Sequence, residues 1–326
     1  MDEQTFPTSP AGLGRAIGWI ARRTGGDLTG ILITAEGTGS YGAILAGRLA
    51  AAGYRVTEAP TPRRDRASGK DDDLDAITAA RSTMVMAVAK LRDRRGADPQ
   101  GITVALGVLL TARLQTTRDR TRVVNALTAL LRTHDLGLDV RRKLTKTQIK
   151  TIAGWRPRAE SLALDTARRQ AIRHARRIRE LDTDLAHNNT EIATLVALQA
   201  PLLLSQPGVG PISAATVLTV WSHPGRVRSE AAFAAIGGAA PIPASSGNTT
   251  RHRLNRGGDR RLNSALHTIV MTRMRCDPAT RAYVERRLAQ GKTRREIRRA
   301  LKRYTARQLY RILNTIPATD EHATAA

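Results

Sequence analysis

The sequence is short of sulfur, aromatic rings and acids, and each shortage excludes something. One cysteine, Cys276, among 326 residues excludes a disulfide scaffold and any zinc site built on several thiolates. Aromatics make up 3% of the chain, which argues against recognition of bases by rows of stacking rings. No apolar run reaches the ~18 residues that a membrane span requires. Met1–Pro10 holds two acids and no apolar stretch of the secretory kind. A cytoplasmic protein with no membrane partner is therefore expected. Acids number 28 against 53 Lys and Arg, a formal net charge of +25. That surplus attracts polyanions, because cations that displace counterions from phosphates supply most nucleic-acid affinity. Nucleic acid is the expected partner, and association with the nucleoid follows. Hydrophobic residues at 41% suffice for ordinary cores, and the length suits two or three domains.

Residues 1–100 alternate strand and helix signals, the layout of an α/β domain. Gly30–Ala35 reads as a buried strand, Ala43–Ala52 as a helix stopped by Gly53, and Tyr54–Glu58 as the next strand. A basic loop with Pro60 and Pro62 follows, then helical periodicity over Leu74–Leu91. Residues 101–203 read as helical. Within them a long helix over about 158–198 carries Leu164, Ala167, Ala171, His174, Ile178, Leu181, Leu185, Asn188, Ile192 and Leu195 at alternating spacings of three and four. That is a heptad seam, with Asn188 placed as a polar register-setting residue, and it predicts a coiled coil that joins copies of the chain. Residues 204–314 form a third, mostly helical region, and 315–326 a flexible tail.

Glu36 is followed by Gly37-Thr38-Gly39-Ser40-Tyr41-Gly42, a G-x-G-x-x-G between a strand and a helix, with Glu58 ending the next strand. Taken alone this is a dinucleotide fingerprint and points to an NAD-binding oxidoreductase. The absence of further strand–helix–strand units and the large positive charge weigh against it. The acids of Lys70-Asp71-Asp72-Asp73-Leu74-Asp75 weigh further. Asp72 and Asp75 stand three apart, on one face of a helix start. Acids there can simply answer the helix dipole. With Glu36 at a strand end they can also make the oxygen cluster that Mg²⁺ requires.

Together, Glu36-Gly-Thr-Gly-Ser-Tyr-Gly and Lys70-x-Asp72-x-Leu-Asp75-Ala76 resemble the RuvC-like domain of DEDD-type insertion-sequence transposases. That family includes the pilin-gene inverting and the bridge-RNA-guided recombinases. The resemblance implies an RNase H-like fold in residues 1–100, with Glu36, Asp72 and Asp75 as three of four Mg²⁺-binding catalytic carboxylates. The fourth would be an Asp on a first strand upstream of Thr5-Phe6-Pro7-Thr8. On that expectation the opening strands are missing here, and an inert nucleic-acid-binding remnant is the competing reading.

Leu204–Ala215 resembles the hairpin of a helix-hairpin-helix element, in which Gly208 and Gly210 let backbone N–H groups face a phosphate. Between Ala235 and Gly258 lies Ser245-Ser246-Gly247, followed by Arg251, His252, Arg253 and Arg256, with Arg260 and Arg261 just beyond. A hydroxyl beside several guanidinium groups can attack a phosphodiester whose charge they stabilise. Residues 204–313 resemble the family's C-terminal domain through PGVGPISA, the SSG loop, Asn255–Leu262 and Asp277–Tyr283. The resemblance places its serine nucleophile on Ser246, with Ser245 the alternative. It also implies DNA ends and target, a structured guide RNA, and a homodimer or homotetramer as partners. Arg251–Arg311 holds 19 Lys and Arg against 4 Asp and Glu, so the nucleic-acid surface is expected there.

Overall fold

The computed structural model describes residues 2–59, 72–87, 90–96, 101–244, 252–253, 255 and 257–316, the side chains of 72–75 and 252 excepted. The chain divides into two compact units, residues 1–104 with 217–326, and residues 105–216.

In the first unit, α1 (Pro10–Thr24) starts where Ser9 Oγ accepts the Gly12 N–H and ends on Gly25 in the left-handed region. β1 (Leu32–Ala35), α2 (Ala43–Ala51) and β2 (Arg55–Glu58) form a parallel β-α-β unit, with Ile33 opposite Val56 and Ala35 opposite Glu58. Gly53 takes a φ of +91° just past α2, the stop that the sequence indicated. Ala46, Leu49, Tyr54 and Val56 are buried between helix and sheet. α3 (Asp72–Met84) packs on β1, where the Thr83 hydroxyl donates to Thr34 Oγ1 at 3.0 Å. The helix expected through Leu91 thus ends at Met84. The chain then adds a two-residue strand, β3 (Arg92–Asp93), antiparallel to β2. Pairing with an existing edge decides that segment, and a pair of residues is too short to show a period.

The second unit is helical. α4 (Ile102–Thr133) runs unbroken through Gly107, which faces open space. α5 (Lys146–Ala153) begins at a capping box of Thr145 and Gln148. α6 (Leu162–Gln199) begins at Ser161, whose hydroxyl accepts the Leu164 N–H. α4 and α6 lie antiparallel. Asn188 Nδ2 donates to the Leu109 carbonyl at 3.0 Å, Arg113 to the Leu185 carbonyl at 3.1 Å, and Arg120 pairs with Asp182 at 2.5 Å. Leu127, Leu131, Ile149, Ile152, Ala171 and Ile178 share one core.

This arrangement corrects the coiled-coil expectation. The periodicity of the seam is real, but Ala171, Ile178, Leu181 and Ile192 are buried within the single chain. Asn188 satisfies a carbonyl of α4 rather than a second copy, and Leu164, Leu185 and Leu195 are half-buried.

α7 (Pro201–Leu204), a turn with Gly208 at φ +73°, and α8 (Pro211–Trp221) follow. α9 (Glu230–Ile236), α10 (Arg260–Cys276), α11 (Pro278–Ala289) and α12 (Arg294–Leu313) complete the first unit. Between α9 and α10, β4 (Ile242–Pro243) pairs antiparallel with β5 (His252–Arg253). Phe233, Leu262, Leu266, Leu309 and Leu313 are fully buried, and the Tyr310 hydroxyl donates to the Val227 carbonyl at 2.5 Å. Asp259, Asp277 and Thr293 cap α10, α11 and α12 in turn.

Candidate active site and nucleic-acid groove

Glu36 directly follows β1 and is exposed. The turn behind it is closed by backbone geometry. Gly37 sits at φ +62°, and a Cβ on Gly42 would lie 2.2 Å from the Glu36 carbonyl oxygen. A Cβ on Gly39 would lie 2.6 Å from Arg95 Cδ, and the Arg95 N–H donates to Thr38 Oγ1 at 3.2 Å. The open side of the glycine turn is therefore covered by Arg95. Glu58, the acid that a ribose hydroxyl would need, is taken by Arg95 Nε at 3.2 Å and Arg226 Nη2 at 2.5 Å. Both requirements of the dinucleotide reading are engaged elsewhere, and the oxidoreductase alternative falls.

The same contacts fasten the sheet to the C-terminal third. Arg226 is only 3% exposed, and burial draws its guanidinium below the ordinary value while Glu58 opposes the shift. The Gly96 N–H donates to Ser222 Oγ at 3.1 Å, and His223 Nε2 lies 3.2 Å from the Arg94 carbonyl. Ser222 is held at φ +74°, a region that non-glycine residues rarely adopt.

Asp72 and Asp75 fall in the first turn of α3, but their side chains lie outside the described residues. Asp75 stands eight residues before Thr83, about 12 Å along the helix axis, and Thr83 hydrogen-bonds Thr34 of β1. Among the described residues no group of three or more His, Cys, Asp or Glu is placed to hold a metal. Glu36 forms no ion pair among those residues, leaving its carboxylate available. A donor set of carboxylate oxygens alone suits a hard divalent cation. Asp2 is not a member of it, because its carboxylate pairs with Arg23.

Ser245, Ser246, Arg251 and Arg256 lie outside the described residues; β4 and β5 flank the two serines in the chain. Arg260 and Arg261 are exposed in the first turn of α10, above its cap Asp259. Gly208 and Gly210 occupy the turn before α8, where the Gly210 carbonyl accepts the Ala214 N–H.

Arg253 is exposed on a groove of about 690 Å³ between residues 238–241 and α12. Seven basic side chains line it against one acid, Glu296. Glu296 is spent on the helix cap, accepting the Thr293 N–H and hydroxyl at 2.8 Å each. Lys302 donates to Asn263 Oδ1 at 2.7 Å, and burial lowers its pKa. The sequence marks the basic helix through Lys302 as part of the family-like C-terminal domain, but does not single out Arg299, Arg303 and Arg307. Their spacing with Lys302, of three and four, was visible, but Arg294, Arg295 and Arg298 put similar charge on the other faces.

Residues 1–134 match a family described as Transposase, of the DEDD type associated with IS110. Residues 200–285 match the family described as Transposase IS116/IS110/IS902. Both descriptions set the class, a transposase, and they fall on the chain in order. The chain belongs to the IS110 family of DEDD transposases. It is 37% identical over 95 residues, 29% of this chain, to the insertion element IS110 uncharacterized 43.6 kDa protein of Streptomyces coelicolor. It is 29% identical over 145 residues, 43% of this chain, to the insertion element IS900 uncharacterized 42 kDa protein of Mycobacterium paratuberculosis. The matched stretches span 24% and 36% of those relatives' lengths. Among the described residues, no helix is long and apolar enough to cross a membrane.

Proposed function

We propose that the protein is the recombinase of an insertion element, cutting and rejoining DNA through a carboxylate-held divalent cation and a serine nucleophile. The observation that carries this reading is the join within one compact unit. Glu58 of the sheet and Arg226 of the C-terminal third bind each other, so the strand end that Glu36 follows and the described part of the C-terminal third belong to one compact unit, which supports the reading. An RNase H-like arrangement of the N-terminal region accords with the family.

In this mechanism Ser246 Oγ, with Ser245 the alternative, bonds to phosphorus as the bond from phosphorus to one DNA oxygen breaks. The serine proton leaves with that oxygen. A DNA hydroxyl then attacks the phosphoserine, restoring the serine and a new phosphodiester. Arg251, Arg253 and Arg256 offset the charge on the pentavalent phosphorus. Glu36, Asp72 and Asp75 would hold Mg²⁺. When bound, such an ion lowers the pKa of hydroxyl groups and neutralises phosphate charge. DNA ends and target are the substrates, a structured RNA of the element guides their pairing, and two or four copies assemble on the nucleoid in the cytoplasm.

An excision assay with purified protein, element DNA and the element's RNA tests this reading. Ser246→Ala is expected to lower joining about 10⁴-fold while nucleic-acid affinity stays within about twofold. Loss in Ser245→Ala alone would move the nucleophile by one residue. Full activity in both would leave the carboxylates to carry the chemistry, and activity without RNA would remove the guide. A protein that binds DNA and RNA but excises nothing would be an inert remnant.

A further inference from the structure

We propose that the groove along α12 is a binding site for single-stranded nucleic acid, with phosphates on Arg299, Lys302 and Arg303 and a base on the ring of Tyr304. The proposal rests on the reading above only in taking nucleic acid as the partner.

The first argument is the ring. In a chain with 3% aromatics, Tyr304 lines the groove and is 55% exposed. Tyr283 meets it edge-on at 6.2 Å and 88°, which fixes its plane without covering it. Ala300, Arg303, Tyr304 and Arg307 fall on one helical face, so ring and guanidinium groups point into the same space. A ring beside a basic track is how a single strand is held without regard to sequence. Paired bases keep their faces stacked on each other and cannot use it.

The second argument is charge. Arg299 and Arg303 form no salt bridge among the described residues; Arg299 acts on Glu296 only through space, while the Glu296 oxygens are bonded to Thr293. Lys302 is half-buried against an amide oxygen alone, a desolvated cation to which a phosphate would supply the counter-charge. The third is size. The opposing wall is Gly238, Ala239, Ala240 and Pro241, small enough for a sugar-phosphate chain to approach. A volume of about 690 Å³ is that of a small-ligand pocket and takes a few nucleotides of one strand, not the body of a duplex.

Fluorescence anisotropy on the full chain tests this with labelled oligonucleotides of about 12 nucleotides, within the range of single-strand site sizes. The arms are single-stranded DNA, unpaired RNA of the same sequence, and duplex DNA. Tyr304→Ala is expected to weaken single-strand binding about tenfold, with Tyr304→Phe restoring it. Duplex binding should change less than about twofold, because no base face is offered. Arg299→Gln with Arg303→Gln should flatten the single-strand dependence of log K on log salt by about 1.4. Arg294→Gln with Arg295→Gln removes equal charge outside the groove and should leave the slope near that of the unaltered protein. Thermal melting confirms that each variant folds. A loss confined to DNA assigns the site to a displaced strand, and a loss confined to RNA assigns it to an unpaired RNA segment. Either supports the groove. Equal weakening of duplex and single strand by Tyr304→Ala, or equal slopes for the two double variants, would overturn it. If the unaltered protein excises DNA while the groove variants bind normally, this inference falls alone. If the unaltered protein binds no nucleic acid, both readings fall.

Discussion

The carboxylate end and the basic end of residues 1–104 with 217–326 are built by opposite means. Around Glu36 the backbone sets the geometry. Gly37 turns the chain, Gly42 lets it pass the Glu36 carbonyl, and Gly39 leaves room for Arg95. Around α12 the side chains set it. Capped helices hold arginines, a half-buried lysine and a tyrosine toward a wall of small residues. The first kind of site has a local signature that can be read residue by residue. The second has none, because its members come from four separated segments and each is ordinary alone.

Four substitutions break or sharpen this contrast, in falling order of expected effect. On the proposed mechanism, Glu36→Gln should cut the excision rate by about 10³-fold by removing one charged group from the carboxylates that would hold the cation. Its nucleic-acid affinity should hardly change, the reverse of the pattern expected in the groove. Comparable losses of affinity and rate would merge the two ends into one binding surface.

Next is Glu58→Gln, which strands Arg226 in a buried position without its counter-charge. Urea unfolding should show about 3 kcal/mol of lost stability, the cost of halving a buried pair. An unchanged midpoint would mean that the two ends hold together without that bridge. Ile178→Ala, in the core of the other unit, should cost about 3 kcal/mol by leaving a cavity. The loss should be the same at high and low protein concentration, since Ile178 is covered within its own chain. A loss that grows on dilution would restore the intermolecular coiled coil.

The smallest effect concerns pH. Arg311 and Arg307 hydrogen-bond Glu230 and hold its carboxyl down at about 2, from an ordinary 4.5. A depressed folded-state pKa adds stability that is complete above the unfolded value and lost as pH falls. The protein should therefore lose this contribution between about pH 4.5 and about 2. Stability of Glu230→Gln followed by circular dichroism should vary less with pH across that window. Equal slopes for the two proteins would show that other acids dominate the acid limb.

Much of the N-terminal layout was legible from local signals. The strand, the helix stopped before Gly53 and the second strand stand where periodicity and turn residues put them. Glu58 was legible as a strand end, but its role was not, because its partners Arg95 and Arg226 are 37 and 168 residues away. The heptad pattern of α6 was also real. A period shows that one face of a helix is covered and does not say by what, and here α5 and α4 both cover it. β3 escaped notice because strand pairing, not residue preference, makes it a strand. The basic groove was hidden by abundance: arginine on every face of α12 masks the face that matters.

The bridge from Glu58 to Arg226 also has a consequence in time. The two residues leave the ribosome 168 positions apart. At ~5–20 residues per second the sheet waits roughly ten to thirty seconds for the segment that locks it. During that interval Glu58 has Arg95 as its partner, and β3 already pairs with β2. Contacts of such long sequence separation form late, after the entropy of a large loop has been overcome. The nascent β-α-β unit can pack its own core first, and a chain released before residue 226 would keep that core but lack the buried bridge to the C-terminal third.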